Sequence, residues 1–293
     1  MEKLFDAAEI SRQAFHQWMK PTVNQLEKTP QHMVLELAQS VRTNYLPGSG
    51  AREIYHFIRK KSDLSTKLNG WGKHKFENLC LNNGMRVLKA RFKPKTTIRG
   101  EYVFPNKIQG MMINDINKIW VSDIAYIFSA DGKLIGYLTS LLDVYSRRLL
   151  GLNFSENMTA KQTSLPVIEQ AFSNRDSDLF PGLFFHSDGG KQYIEKSFLA
   201  HLTKAQMESS MADNCYENPF AESFNDTIKN HILPFFKLNS FQQLKKQQNF
   251  IIECYNQNKV HTGIDRFTPV EYENYIKTLK PDQRTSLQIK DLS

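Results

Sequence analysis

The stretch IWVSDIAYIF (119–128) decides the fold. It is rich in aromatic and β-branched residues, as a strand should be. One acid, Asp123, interrupts the apolar run. Burying a carboxylate in mid-strand without a partner is costly, so Asp123 is a candidate for chemistry rather than packing. Downstream, Asp131-Gly132 is a hairpin turn signal, and KLIGYLTSLLDVYS (133–146) and RRLLGLNFSEN (147–157) supply two more strands. Residues 159–174 read as a helix opened by a Thr cap, LFFHSD (183–188) as a buried strand, 195–207 as a helix and SSMA (209–212) as a short strand. A further helix starts at Asn218-Pro219, and the tail from 240 to 278 is expected to be helical. Three meandering strands followed by alternating helix and strand predict an α/β layered domain.

Two more acids stand at marked positions. Asp188 closes the apolar strand LFFHSD, and Glu222 lies one turn into the helix that Asn218 would cap and Pro219 would open. Each has an ordinary explanation when taken alone. Glu222 complements the helix dipole, and Asp188 suits a turn before Gly189-Gly190. Together, two strand-borne Asp and one helix-borne Glu can converge on hard divalent cations, which prefer oxygen ligands. The expected cofactor is therefore Mg²⁺ or Mn²⁺, two ions per site. Ions about 3.5–4 Å apart would contact both the attacking and the leaving oxygen of an in-line phosphoryl displacement. The sequence offers no convincing nucleophilic triad. Asp143, beside Arg147 and Arg148, reads as structural or supporting.

Charge divides the chain. Residues 1–112 carry 19 Lys+Arg and 9 Asp+Glu, a net of +10, whereas residues 113–293 carry 19 and 21, a net of −2. This segregation is the footprint of one part that holds a polyanion and another that does chemistry. The first twenty residues read as a helix–turn–helix fragment, with Ser11 as N-cap and Ala14, Phe15 and Trp18 at helical spacing. Apolar periodicity continues over 30–45, Pro47-Gly48-Ser49-Gly50 breaks it, and 51–61 and 73–82 read as two further helices, with Gly84 at a C-terminus. RVLKARFKPKTTIR (86–99) has six basic residues and no acid, so it reads as an extended linker that phosphates would neutralise through groups such as Arg91, Lys93 and Lys95. Cys80, Cys215 and Cys254 are far apart and odd in number, which points to a reduced compartment and packing roles. MEKLFDAAEI has no signal-peptide core and no run approaches a membrane span, so a cytosolic, nucleoid-associated protein with no membrane partner is expected.

Five ordered stretches resemble the retroviral-integrase-like DDE transposases, in particular the second-frame (OrfB-type) transposases of bacterial insertion sequences. They are IWVSDIAYI (119–127), LLDVYSRRLLG (141–151), HSDGGKQY (186–193), NCYENPFAESFNDTIKN (214–230) and YNQNKVHTGIDRFTPVEY (255–272). SRQAFHQWMK (11–20) and GAREIYHFI (50–58) are similar to that family's helix–turn–helix arm. The resemblance implies a ribonuclease H-like fold in which Asp123, Asp188 and Glu222 are the catalytic, metal-binding acids. It implies that Lys229 approaches a DNA end, that Gln192 and Tyr193 shape the site or contact a strand, and that Asn256, Lys259 and His261 belong to a C-terminal signature with either a helix-packing or a DNA role.

The domains expected are a helical DNA-binding region (1–85), a basic linker (86–112), an integrase-like core (113–235) and a C-terminal helical extension (236–293). The activity implied is metal-dependent cleavage at the ends of a mobile element and 3′-hydroxyl strand transfer. The partners implied are double-stranded DNA (terminal inverted repeats and target), a homo-multimer and a protein from an upstream reading frame. The rival readings are a ribonuclease H-like nuclease without joining activity and a non-catalytic DNA-binding regulator. Three departures from the family pattern stand out. The 33 residues between Asp188 and Glu222 are about two fewer than usual, the usual Arg after the second Asp is Gly190 or absent, and Lys259 replaces an Arg. Lys cannot reproduce the planar two-pronged contact of Arg.

Overall fold

The computed structural model describes residues 28–87, 104–129, 131–212 and 218–290. The expected helix–turn–helix fragment of the first twenty residues, most of the basic linker with Arg91, Lys93 and Lys95, and Cys215 lie outside them. At the centre is a five-stranded sheet in the order β4-β3-β2-β5-β6, where β2 is Ile119–Phe128, β3 Leu134–Asp143, β4 Leu149–Ser155, β5 Phe184–Ser187 and β6 Glu208–Met211. The first three strands form the antiparallel meander read from the Asp131-Gly132 turn, and β5 and β6 then add in parallel. Strand order, direction and flanking helices make the core ribonuclease H-like.

The period-two alternation of β2 assigns its residues to two different cores. Ile119, Val121, Ala125 and Ile127 face a cluster completed by Ala221, Phe224 and Ile228 of the Glu222 helix and by the C-terminal Leu244, Ile251 and Tyr255. Trp120 faces the other side, among Val167, Ile168, Phe185, Phe198 and Leu202. Asp123 thus occupies an apolar position on the face that the Glu222 helix covers. On the opposite face the helix Ser164–Arg175 lies so near β4 that a Cβ on Gly151 would stand 2.3 Å from the Val167 carbonyl oxygen. Its predicted Thr159 cap is not made. The helix begins at Ser164, and Thr159 instead accepts a hydrogen bond from Thr163 at its carbonyl.

Helices Gln31–Asn44, Ala51–Lys60 and Lys73–Asn82 pack around Val34, Val41, Ile54, Ile58, Phe76 and Cys80. Pro47 to Gly50 break the chain between the first two as expected, and Gly84 has the positive φ of a helix terminator. This unit rests on the C-terminal part of the chain. Cys254 joins its core, Lys60 pairs with Glu271 at 2.8 Å, and Lys259 pairs with Glu53 at 2.9 Å. The tail differs from a continuous helical expectation: short helices at 241–246 and 248–253 lead into a π-turn (Cys254–Asn258), an irregular stretch, and Pro269–Lys277. A two-stranded sheet, β1 (Met112–Ile113) with β7 (Leu287–Gln288), ties the start of the core to the tail. Two-residue strands are too short to leave a periodic signal. No helix among the described residues is long and apolar enough to cross a membrane.

Candidate active site

β2 and β5 run parallel with Ile119 opposite Phe184 and Val121 opposite His186. Asp123 and Asp188 each lie two residues beyond that last pair, so neighbouring strands carry them out at the same level. Adjacent strands are about 4.8 Å apart, which sets two carboxylates side by side. Burial and the charge of Asp188 push the Asp123 pKa up to about 7. Burial also raises that of Asp188, partly offset by the Gly190 N–H donating to its Oδ1 at 3.1 Å. Among the described residues neither Asp has a lysine or arginine within ion-pairing distance, and neither has Glu222. Uncompensated acids drawn together in this way are unusual outside functional sites.

Glu222 enters from the helix Pro219–Thr227. Its carboxylate is exposed, and its charge reaches Asp123 as a weaker repulsion than that of Asp188. Among the described residues the acids do not close into a compact group of three. The helix itself is pinned to β2 at two points. Asn225 donates from Nδ2 to Asp123 Oδ2 at 2.6 Å, and Asn218 donates from Nδ2 to the Ser122 carbonyl at 3.1 Å. The latter corrects the expected side-chain N-cap: Asn218 precedes the helix, but its side chain spans to the strand instead of capping. Neither contact was legible beforehand. The only signal for Asn225 was its position three residues after Glu222, on the same helical face.

The remaining candidates divide by burial. Tyr193 is fully enclosed, with its hydroxyl 2.8 Å from Ser122 Oγ, so it shapes the site from beneath and has no surface to offer a DNA strand. Gln192 is half-buried on the turn Lys191–Ile194, and its carbonyl accepts from Ser164 Oγ at 3.0 Å. Lys229 lies in a π-turn, Ile228–Ile232, that continues the Glu222 helix. A π-turn adds residues to the turn, so the seven-residue spacing that an unbroken α-helix would align with Glu222 is offset.

Asn256 is buried, and His261 is half-buried. Asn256 exchanges two hydrogen bonds with the backbone of Leu149 at 3.0 and 2.9 Å, satisfying the edge of β4. His261 is packed on Tyr255, and burial with nearby Lys259 and Arg147 lowers its pKa to about 3, so it is neutral. Lys259 is committed to Glu53. Asp143 is fully buried, accepts from the backbone N–H groups of Asn117 and Ser146, and lies 3.4 Å from Arg175, which forks onto Glu273 at 2.7 and 2.8 Å. That network is structural.

Residues 114–215 match the integrase core domain family, and residues 204–269 match a second integrase core domain family. The chain is 25% identical over 270 residues to the insertion element IS600 uncharacterized 31 kDa protein of Shigella sonnei, covering 90% of this chain and 94% of that protein. It is 26% identical over 287 residues to the putative transposase InsK for insertion sequence element IS150 of Escherichia coli K12, covering 94% and 93%. Among solved structures it is similar to the HTLV-2 integrase catalytic core domain in complex with magnesium, at 18% identity and a TM-score of 0.41, over 60% of this chain and 99% of that one.

Proposed function

We infer that this chain, an insertion-sequence transposase with a retroviral-integrase-like core, performs its DNA cleavage and strand transfer at Asp123, Asp188 and Glu222. The observation that carries the assignment is the side-by-side emergence of Asp123 and Asp188 from parallel strands, with Glu222 on the helix across that face and no cation paired to any of the three among the described residues. An all-oxygen donor set of this kind fits Mg²⁺ or Mn²⁺. Asn225 Nδ2 and the Ile124 backbone N–H both bond the Asp123 carboxylate and hold its orientation. Exposed Glu222 has the freedom to swing toward the pair. Bound divalent ions, two in this proposal, supply charge neutralisation at the scissile phosphate and a more acidic nucleophile.

The chain's own residues do the rest. Asp123, with its pKa pushed up to about 7, must give up its proton before it can ligate, and burial raises the pKa of Asp188 as well. Asn225 orients one carboxylate oxygen, and Gly190 holds the other Asp by its backbone N–H. DNA approaches over the open edge where the strands end, and the basic first third of the chain holds it. The proposed substrates are the element's terminal inverted repeats and a target duplex. A homo-multimer would bring two ends together, and an upstream-frame protein would join it.

A cleavage and strand-transfer assay with Asp188→Asn tests the assignment. The wild type should cut element ends and join a pre-cut end to plasmid DNA in Mg²⁺ or Mn²⁺. The variant should bind DNA but lose both steps by at least about a thousandfold. A fully active variant would remove Asp188 from the chemistry.

A further inference from the structure

Ser122 touches all three acid-bearing segments. It immediately precedes Asp123 on β2, is fully buried, and by strand alternation turns its side chain to the face opposite Asp123. There its Oγ lies 2.7 Å from the Ser140 carbonyl oxygen and 2.8 Å from the Tyr193 hydroxyl. A hydroxyl has one proton to give and a carbonyl can only accept. The Ser122 proton therefore goes to Ser140, and Tyr193 donates to Ser122.

Tyr193 belongs to the segment that follows Asp188. Its backbone N–H bonds to the Gly190 carbonyl, and the Gly190 N–H bonds to Asp188 Oδ1. Its ring is locked between Phe185 and Phe198, with centroids 5.8 Å away in each case. The Ser122 carbonyl, in turn, accepts from Asn218 at the start of the Glu222 helix. Registered pairing between β2 and β5 stops at Val121 and His186, one residue before Ser122. The ladder that brings Asp123 and Asp188 out at the same level ends there, and the hydrogen bonds at Ser122 tie the segments beyond it.

We propose that Ser122 is a positioning residue of the metal site, aligning the Asp188 segment through Tyr193 and the Glu222 helix through Asn218 against Asp123. The proposal rests on the assignment of the three acids as metal ligands. Partners that orient first ligands typically change metal affinity by about 10–100-fold when removed. Tyr193→Phe deletes one oxygen from a locked ring and Ser122→Ala deletes the oxygen that receives it, so both remove the Tyr193–Ser122 bond, and Ser122→Ala also removes the bond to the Ser140 carbonyl.

Mn²⁺ binding to the full chain, read from the electron paramagnetic resonance signal of the free ion, separates the possibilities. Asp188→Asn should abolish binding. Tyr193→Phe should weaken it about tenfold and Ser122→Ala at least as much, and the double variant should be no weaker than Ser122→Ala, which already lacks the Tyr193 bond. Wild-type affinity in Tyr193→Phe and Ser122→Ala, alongside loss in Asp188→Asn, would overturn the positioning role and leave the acid assignment standing. Multiplicative weakening in the double variant would overturn the shared bond. Wild-type binding by Asp188→Asn would instead overturn the acid assignment itself. Thermal melting of Tyr193→Phe within a degree or two of wild type separates an effect on the site from one on the fold.

Discussion

Asn225 donates a hydrogen bond of 2.6 Å to Asp123, joining the helix that carries Glu222 to the strand that carries the first acid. The bond orients the Asp123 carboxylate and ties the helix to the sheet at the level of the candidate site. Hydrogen bonds to charged groups contribute roughly 1.5–3 kcal/mol. Asn225→Ala should therefore reduce single-turnover cleavage by about 10–100-fold while leaving DNA affinity within about twofold. Equal losses in binding and cleavage would show that Asn225 acts on DNA instead.

The pKa of Asp123, pushed up to about 7, makes the metal-free protein less stable as pH rises. In the unfolded chain an Asp releases its proton near pH 3.9, whereas the folded chain keeps this one to about 7. Between those values the folded state binds more protons than the unfolded state, so unfolding free energy falls with increasing pH. Asp123→Asn should remove this slope and stabilise the metal-free protein at pH 8 by on the order of 1 kcal/mol, with little gain at pH 4. Urea denaturation at the two pH values, in chelator, reads the difference directly. Mn²⁺ affinity of the wild type should rise over the same interval as the competing proton leaves.

Gly48 has a φ of +74°, and a Cβ there would stand 1.7 Å from the His231 carbonyl oxygen. The helical unit 31–82 therefore docks on the π-turn behind the Glu222 helix through a contact only glycine can make. Gly48→Ala should cost about 1–3 kcal/mol and lower the melting temperature by several degrees. Gly84→Ala serves as the comparison, because its φ is similarly positive but no atom stands within 4 Å of the added carbon. An equal loss in both would mean that backbone strain, not the docking contact, sets the cost.

Arg175 lies between two buried acids, 3.4 Å from Asp143 and 2.7 Å from Glu273. Removing one member of a buried charged group leaves the others uncompensated, typically at a cost of about 3–5 kcal/mol. Arg175→Ala should unfold in correspondingly less urea. Arg148→Ala, which removes a more exposed partner of the same Glu273, should lose clearly less.

The sequence by itself determined the meander, the strand that leads to Asp188 and the helix that begins at Pro219, because aromatic and β-branched apolar runs, Asp131-Gly132 and Asn218-Pro219 are local signals. It also marked Asp123 as an anomaly, since the cost of an acid in an apolar strand follows from its neighbours in the chain, and set Asp188 and Glu222 beside it only as a group of three. Which residues serve those acids was decided only by the tertiary structure. Asn225 meets Asp123 across 102 positions of sequence, and Tyr193 meets Ser122 across 71. Local periodicity carries no trace of such pairs. Asn256 and His261 show the same limit from the other side. The family resemblance left them either a helix-packing or a DNA role, and in the fold Asn256 is bonded to β4 while half-buried His261 packs on Tyr255. Local composition sets which face of an element is apolar, but the meeting of two faces belongs to the packed chain, and at this site that meeting selects the partners of the acids.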